Sequence, residues 1–99
     1  MILNLPKTGG NIYTAMRKCG YVFNKEERGE AVFLRPVSQS ASGYPRFHCY
    51  IKIDPDGNFR LNLHLDQKKP IYKGSHAHAG EYEGKVVEKE AERIKKVWD

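Results

Sequence analysis

The sequence predicts a small α+β domain of order α-β-β-β-α, with an antiparallel sheet covered by two helices on one face. Three observations point there. Residues 46–53 and 59–66 each alternate between apolar and polar, the pattern of strands with one buried face. Between them sits Asp54-Pro55-Asp56-Gly57-Asn58, a turn by composition. Nearer the two ends, Ile12, Ala15, Met16 and Cys19, and then Val87, Ala91, Ile94 and Trp98, recur at the spacing of one helical face.

In chain order, Leu5-Pro6-Lys7-Thr8-Gly9-Gly10 reads as loop, and Asn11 as the N-cap of a helix over 12–19. Arg17 and Lys18 suit the negative end of its dipole, and Gly20 supplies a left-handed stop. Tyr21-Val22-Phe23 fits a short strand or a buried connection, and the charged stretch from Asn24 to Glu30 fits a turn around Gly29. Residues 31–37 read as the first full strand, with Pro36 marking an edge position or a strand end. Residues 38–44 are loop by composition. The paired strands follow, and residues 67–84, which lack periodicity, read as a long loop. The closing helix carries Glu90–Arg93 and Glu92–Lys96 as surface pairs, with Glu81 and Glu83 just ahead of its positive end. With no repeat or linker, residues 1–99 are expected to form one domain.

The turn sets the register. A two-residue turn at Asp56-Gly57 would place Ile51 across from Asn62, mixing apolar and polar side chains on one face. A three-residue loop, with Pro55 and Asp56 in a type I turn and Gly57 left-handed, instead brings Ile53 to Phe59 and Ile51 to Leu61. The polar sides then form a ladder: Arg46, His48, Tyr50 and Lys52 face Asp66, His64, Asn62 and Arg60. His48 and His64 become a directly opposed pair, with Cβ atoms about 5 Å apart. The helices take the apolar side, which leaves the ladder to solvent or to a ligand.

Composition narrows the function classes. The chain is 39% hydrophobic and 29% charged, which fits a globular protein and not a disordered one. Its formal net charge of +5 favours polyanionic partners, nucleic acid before membrane. No apolar run reaches membrane-spanning length and the opening residues lack a secretory pattern, so no membrane association and a cytoplasmic location are expected. Cys19 and Cys49 fall on apolar faces and make no zinc pattern, so both read as small core hydrophobes.

The ladder carries the candidate chemistry. Lys52 and Arg60 are like charges directly opposed, an arrangement that suits open solvent or an anion held between them. As a nucleic-acid-binding face, Arg46, Lys52 and Arg60 would contact phosphates and Tyr50 would offer a ring to a base; Lys68, Lys69, Tyr72 and Lys73 would extend the track. His48 and His64 read either as ordinary surface histidines or as general base and acid on a phosphodiester, since imidazole titrates near neutrality. A third reading is divalent metal, zinc for example, on His64 and Asp66 with His76 and His78, whose His-x-His spacing in extended backbone aims both rings one way. Nothing identifies a serine or cysteine nucleophile, a dinucleotide fingerprint or a P-loop.

Two resemblances are visible. Tyr44-Pro45-Arg46-Phe47-His48, then Leu63-His64-Leu65-Asp66-Gln67-Lys68-Lys69-Pro70, then Gly80-Glu81-Tyr82 with Val87-Glu88-Lys89-Glu90, resembles a set of small uncharacterised prokaryotic proteins over about the last half of the chain. That likeness implies a family and no activity. Arg17-Lys18-Cys19-Gly20-Tyr21 with His48 on a strand resembles HicA-like toxins, small ribonucleases of double-stranded-RNA-binding-like α-β-β-β-α fold. Their Gly-Ser-His signature has no counterpart before His48 and is met only at Gly74-Ser75-His76, so the likeness implies the architecture more than the activity. The expectation is therefore a nucleic-acid-binding protein, RNA before DNA, acting through the open sheet face and the 67–84 loop, with ribonuclease activity if it is an enzyme. The alternatives are a metal-binding domain and a protein-interaction module.

Overall fold

The pairing of residues 46–53 with 59–66 is the backbone of the architecture, with one further strand on the side of 59–66 and two on the side of 46–53. The computed structural model describes residues 1–8, 10–37, 44–67 and 79–98, the last without the side chains of 79–83. Among these lie β1 (Ile2–Leu5), α1 (Ile12–Lys18), β2 (Val22–Glu27), β3 (Glu30–Pro36), β4 (Arg46–Ile53), β5 (Phe59–Asp66) and α2 (Ala79–Val97). The strands form one antiparallel sheet of order β1-β5-β4-β3-β2.

The order is thus β-α-β-β-β-β-α, and the expected α-β-β-β-α is corrected by two strands. β1 lies in the stretch before the first helix. Its residues alternate exposed and buried, and Leu3 and Leu5 pair with Leu61 and Phe59. Its four residues stop just before Pro6, which cannot donate to the ladder, and the pattern is too short to stand out beside the loop expected from Leu5 onward. β2 was obscured for the opposite reason. All six of its residues are exposed, so it is an edge strand held by backbone pairing and shows no apolar alternation. Its turn into β3 places Arg28 and Gly29 at positive φ, 52° and 82°, the geometry of a two-residue hairpin.

β4 and β5 pair in the expected register, Ile51 with Leu61 and His48 with His64. Gly57 sits at φ 87°; its N–H donates to the Asp54 carbonyl at 2.9 Å, and the Asp54 N–H donates to the Asn58 carbonyl at 2.9 Å. The Asp54 carboxylate accepts from the N–H groups of Asp56 and Asn58, tying the loop from inside. β3, expected over 31–37, runs Glu30–Pro36 between β2 and β4, so Pro36 marks a strand end and not an edge strand.

Both helices bury their apolar faces in one core with the Phe47, Cys49, Ile51, Leu61 and Leu63 side of the sheet. Asn11 caps α1, its side chain accepting from the Thr14 N–H. Met16 and Ile94 are fully buried, each contributing roughly 1.5–3 kcal/mol relative to exposure. Cys19 and Cys49 are free and buried, as expected. α2 begins at Ala79, so residues 79–84 are helical, and Glu81 and Glu83 lie within the helix instead of ahead of it.

One expected surface feature is buried. Glu90 is only 5% exposed and takes two hydrogen bonds from Arg93, each 2.9 Å, and one from the Tyr21 hydroxyl at 2.6 Å. Arg93 also donates to the Cys19 carbonyl, and Arg35 approaches Glu90 at 3.5 Å. The i,i+3 pair is real, but it pins α2 to the end of α1 and to β3 instead of facing water.

Candidate functional site

The face opposite the helices is built row by row from the sheet register. One row runs Val22, Leu34, His48, His64, and the next Lys25, Val32, Tyr50, Asn62, Ile2. Beyond them lie Lys52, Arg60 and Asn4, and at the other end Pro36, Arg46 and Asp66. Glu30, His48, Tyr50, Asn62 and His64 line a shallow depression at the middle. The face is therefore polar over β4 and β5, while over β2 and β3 an apolar strip of Val22, Leu34 and Val32 lies beside charged residues. Val32 is buried at 1% exposure, Leu34 is half-buried and Val22 is exposed.

The aromatic centre is ordered. The Tyr50 ring meets His48 at 6.0 Å and His64 at 5.9 Å between centroids, edge-on in both cases. These offset contacts are favourable and hold the three rings as a group. Asp66 lies at one end, with its carboxylate 3.6 Å from His48 Nδ1 and 3.4 Å from Arg46 Nε. Arg46 also donates to the Tyr44 hydroxyl at 2.9 Å, with its guanidinium carbon 4.4 Å from the centre of that ring. Partial burial pushes the His48 imidazole below its ordinary 6.5, against the opposing pull of Asp66.

At the other end Lys52 and Arg60 stand directly opposite one another and exposed, and among the described residues neither has an ion-pair partner. The rows of Arg46 and Lys52 are about 20 Å apart, six residues at strand rise. Of the residues expected to bind nucleic acid, Arg46, Tyr50, Lys52 and Arg60 share this face. Arg46 is the one already engaged, by Asp66 and Tyr44. Lys68, Lys69, Tyr72 and Lys73 lie outside the described residues, as do His76 and His78 of the metal reading. Asp66 faces Arg46 and His48 across the ladder, and no group of three or more His, Cys, Asp or Glu positioned for a metal ion occurs among the described residues.

Lys25 and Glu30 join the face unannounced by the sequence. The β2–β3 register shifts between Phe23 and Lys25, which makes Asn24 a bulge. Without it Lys25 would share the helix-covered face with Phe23; with it Lys25 sits beside Val32 on the open face and pairs with Glu27 at 3.6 Å. A bulge in a charged edge strand leaves no mark in the periodicity. A separate hollow of about 250 Å³, lined by Thr8, Asn11, Thr14, Lys18, Val97 and Trp98, lies between the start of α1 and the end of α2 and contains none of the expected site residues.

No protein-family model matches the chain, and no curated protein and no solved structure shows significant similarity to it. No helix among the described residues is long and apolar enough to cross a membrane.

Proposed function

We propose that the open sheet face binds single-stranded nucleic acid, RNA in preference to DNA. The observation that carries the reading is the Lys52–Arg60 pair. Like charges held directly opposite cost a sheet stability, and among the described residues neither side chain makes an ion pair, although Glu30 stands on the neighbouring strand. A phosphate seated between them would supply the missing counter-charge. Tyr50 one row away, and His48 and His64 two rows away, offer rings to a base, and the apolar strip of Leu34 and Val22 continues that ground.

A flat sheet can stack only bases that are free of a duplex, which is why the ligand is single-stranded. Asn62, on the same face, offers a side-chain amide to a 2′-hydroxyl, a group that RNA carries and DNA lacks. Titration of ¹⁵N-labelled protein with a 2′-O-methyl oligonucleotide, which resists cleavage, tests the location. Amide shifts confined to β4, β5 and the facing part of β3 are expected. Shifts around Trp98 and α1, or none at all, would overturn the reading.

A further inference from the structure

We infer that the RNA held on this face is cut there, with the opposed His48 and His64 acting as general base and general acid on a phosphodiester; this rests on the RNA-binding reading above. The cross-strand register places the two imidazoles side by side on one face, both lining the same shallow depression. Imidazole is the side chain best suited to act as either base or acid near neutral pH without a metal. The histidine row lies two rows from Lys52 and Arg60, four residues or about 13 Å at strand rise, so a single strand anchored at the cations and crossing Tyr50 would reach it.

The two histidines are not equivalent, and the difference assigns their roles. His48 is the more enclosed, with Asp66 3.6 Å from its Nδ1. That contact steers the ring and leaves Nε2 for substrate, which makes Asp66 a positioning residue. The charged and titratable groups acting on His48 are Asp66, Arg46, His64 and Lys25. Burial leads among the influences and keeps the imidazole neutral, the form a base requires. His64 is the more exposed of the two, and supplies the proton.

The step balances without a further reactant. His48 takes the proton of the ribose 2′-hydroxyl, and O2′ forms a bond to phosphorus. The P–O5′ bond breaks, and O5′ accepts a proton from His64. The products are a 2′,3′-cyclic phosphate and a 5′-hydroxyl end.

The test uses a fluorogenic single-stranded RNA and the same oligonucleotide carrying 2′-deoxyribose throughout, both in EDTA, with product ends identified by mass spectrometry. Cyclic-phosphate ends from RNA alone are expected, with rates at least about a hundredfold lower in His48→Gln and in His64→Gln, the usual scale for one acid–base group. Melting temperatures of the variants confirm that they fold. Asp66→Asn should lower the rate less and shift its pH profile. Wild-type protein that binds the RNA without cutting it would overturn this inference and leave the binding reading standing. Neither binding nor cutting would remove both. Unchanged cutting by the histidine variants, cutting of the deoxy strand or abolition by EDTA would each overturn the assignment.

Discussion

Tyr21 and Glu90 are 69 positions apart in the chain, and the phenol donates to the carboxylate across 2.6 Å inside the core. Arg93 donates to both oxygens of that carboxylate, one bond each, sharing Oε2 with Tyr21. Removing one partner leaves the others buried and short of a bond. Tyr21→Phe is expected to cost about 1–3 kcal/mol. Glu90→Ala orphans the Tyr21 hydroxyl and the Arg93 guanidinium together, and should cost about 3 kcal/mol or more. Urea denaturation of the two variants checks the order. A Glu90→Ala protein as stable as the wild type would show that the node is incidental.

The pH range of stability follows from the same groups. Burial pushes Glu90 up, but hydrogen bonds from Arg93 and Tyr21 outweigh it and hold the carboxyl below its ordinary 4.5. That contribution is present above 4.5 and lost as pH falls below it. His48 begins the acid loss earlier, below 6.5, because unfolding frees an imidazole that binds a proton more readily. On the alkaline side, burial raises Tyr21 above 10.0 and Cys19 and Cys49 above 9.0, so their contributions are full below those values and fade above them. Thermal melts across pH should show a plateau from about 6.5 to 9 with losses on both sides. Tyr21→Phe should flatten part of the alkaline fall.

Asp66 is the one carboxylate acting to raise His48, against burial, Arg46, His64 and Lys25. Asp66→Asn should therefore move the His48 titration, followed by NMR of the ring protons, further below 6.5. A rise, or no change, would show that the 3.6 Å contact does not govern the ring.

Lys52 and Arg60 give a prediction in which stability and function move apart. Lys52→Glu converts an opposed like-charge pair into an opposite-charge pair, and should stabilise the sheet by roughly 0.2–1 kcal/mol. The same change should weaken RNA binding. Denaturation and binding on one preparation check both arms, and a loss of stability would contradict the like-charge argument.

The central hairpin was legible because three signals agreed: alternation in both strands, a Pro-Asp-Gly turn, and the rule that one face must be apolar throughout. Their agreement also placed His48 against His64. The sheet's edges were not legible. Ile2-Leu3-Asn4-Leu5 alternates correctly but is too short to stand out, and Val22–Glu27 is exposed on both faces. Arg28-Gly29 makes its hairpin turn without the usual Asn or Asp before the glycine. The start of α2 carries Gly80 and Gly84, poor helix formers that disguised the first turns as loop. Glu90 and Arg93 were legible as a pair but not as buried, because helical spacing does not reveal that Tyr21 arrives from 69 positions away. At the site, Lys25 was hidden by the bulge at Asn24, and Glu30 by the turn reading of 24–30, which left it outside the strand.

The most direct test of the binding face is the salt dependence of affinity for a 2′-O-methyl oligonucleotide, wild type against the double variant Lys52→Ala, Arg60→Ala. Each phosphate contact on a single strand adds about 0.7 to the slope of log affinity against log salt. If both cations bind phosphate, the double variant should bind more weakly at low salt and show a slope shallower by about 1.4. Equal affinity and equal slope for the two proteins would contradict the account and place any nucleic-acid contact elsewhere on the molecule.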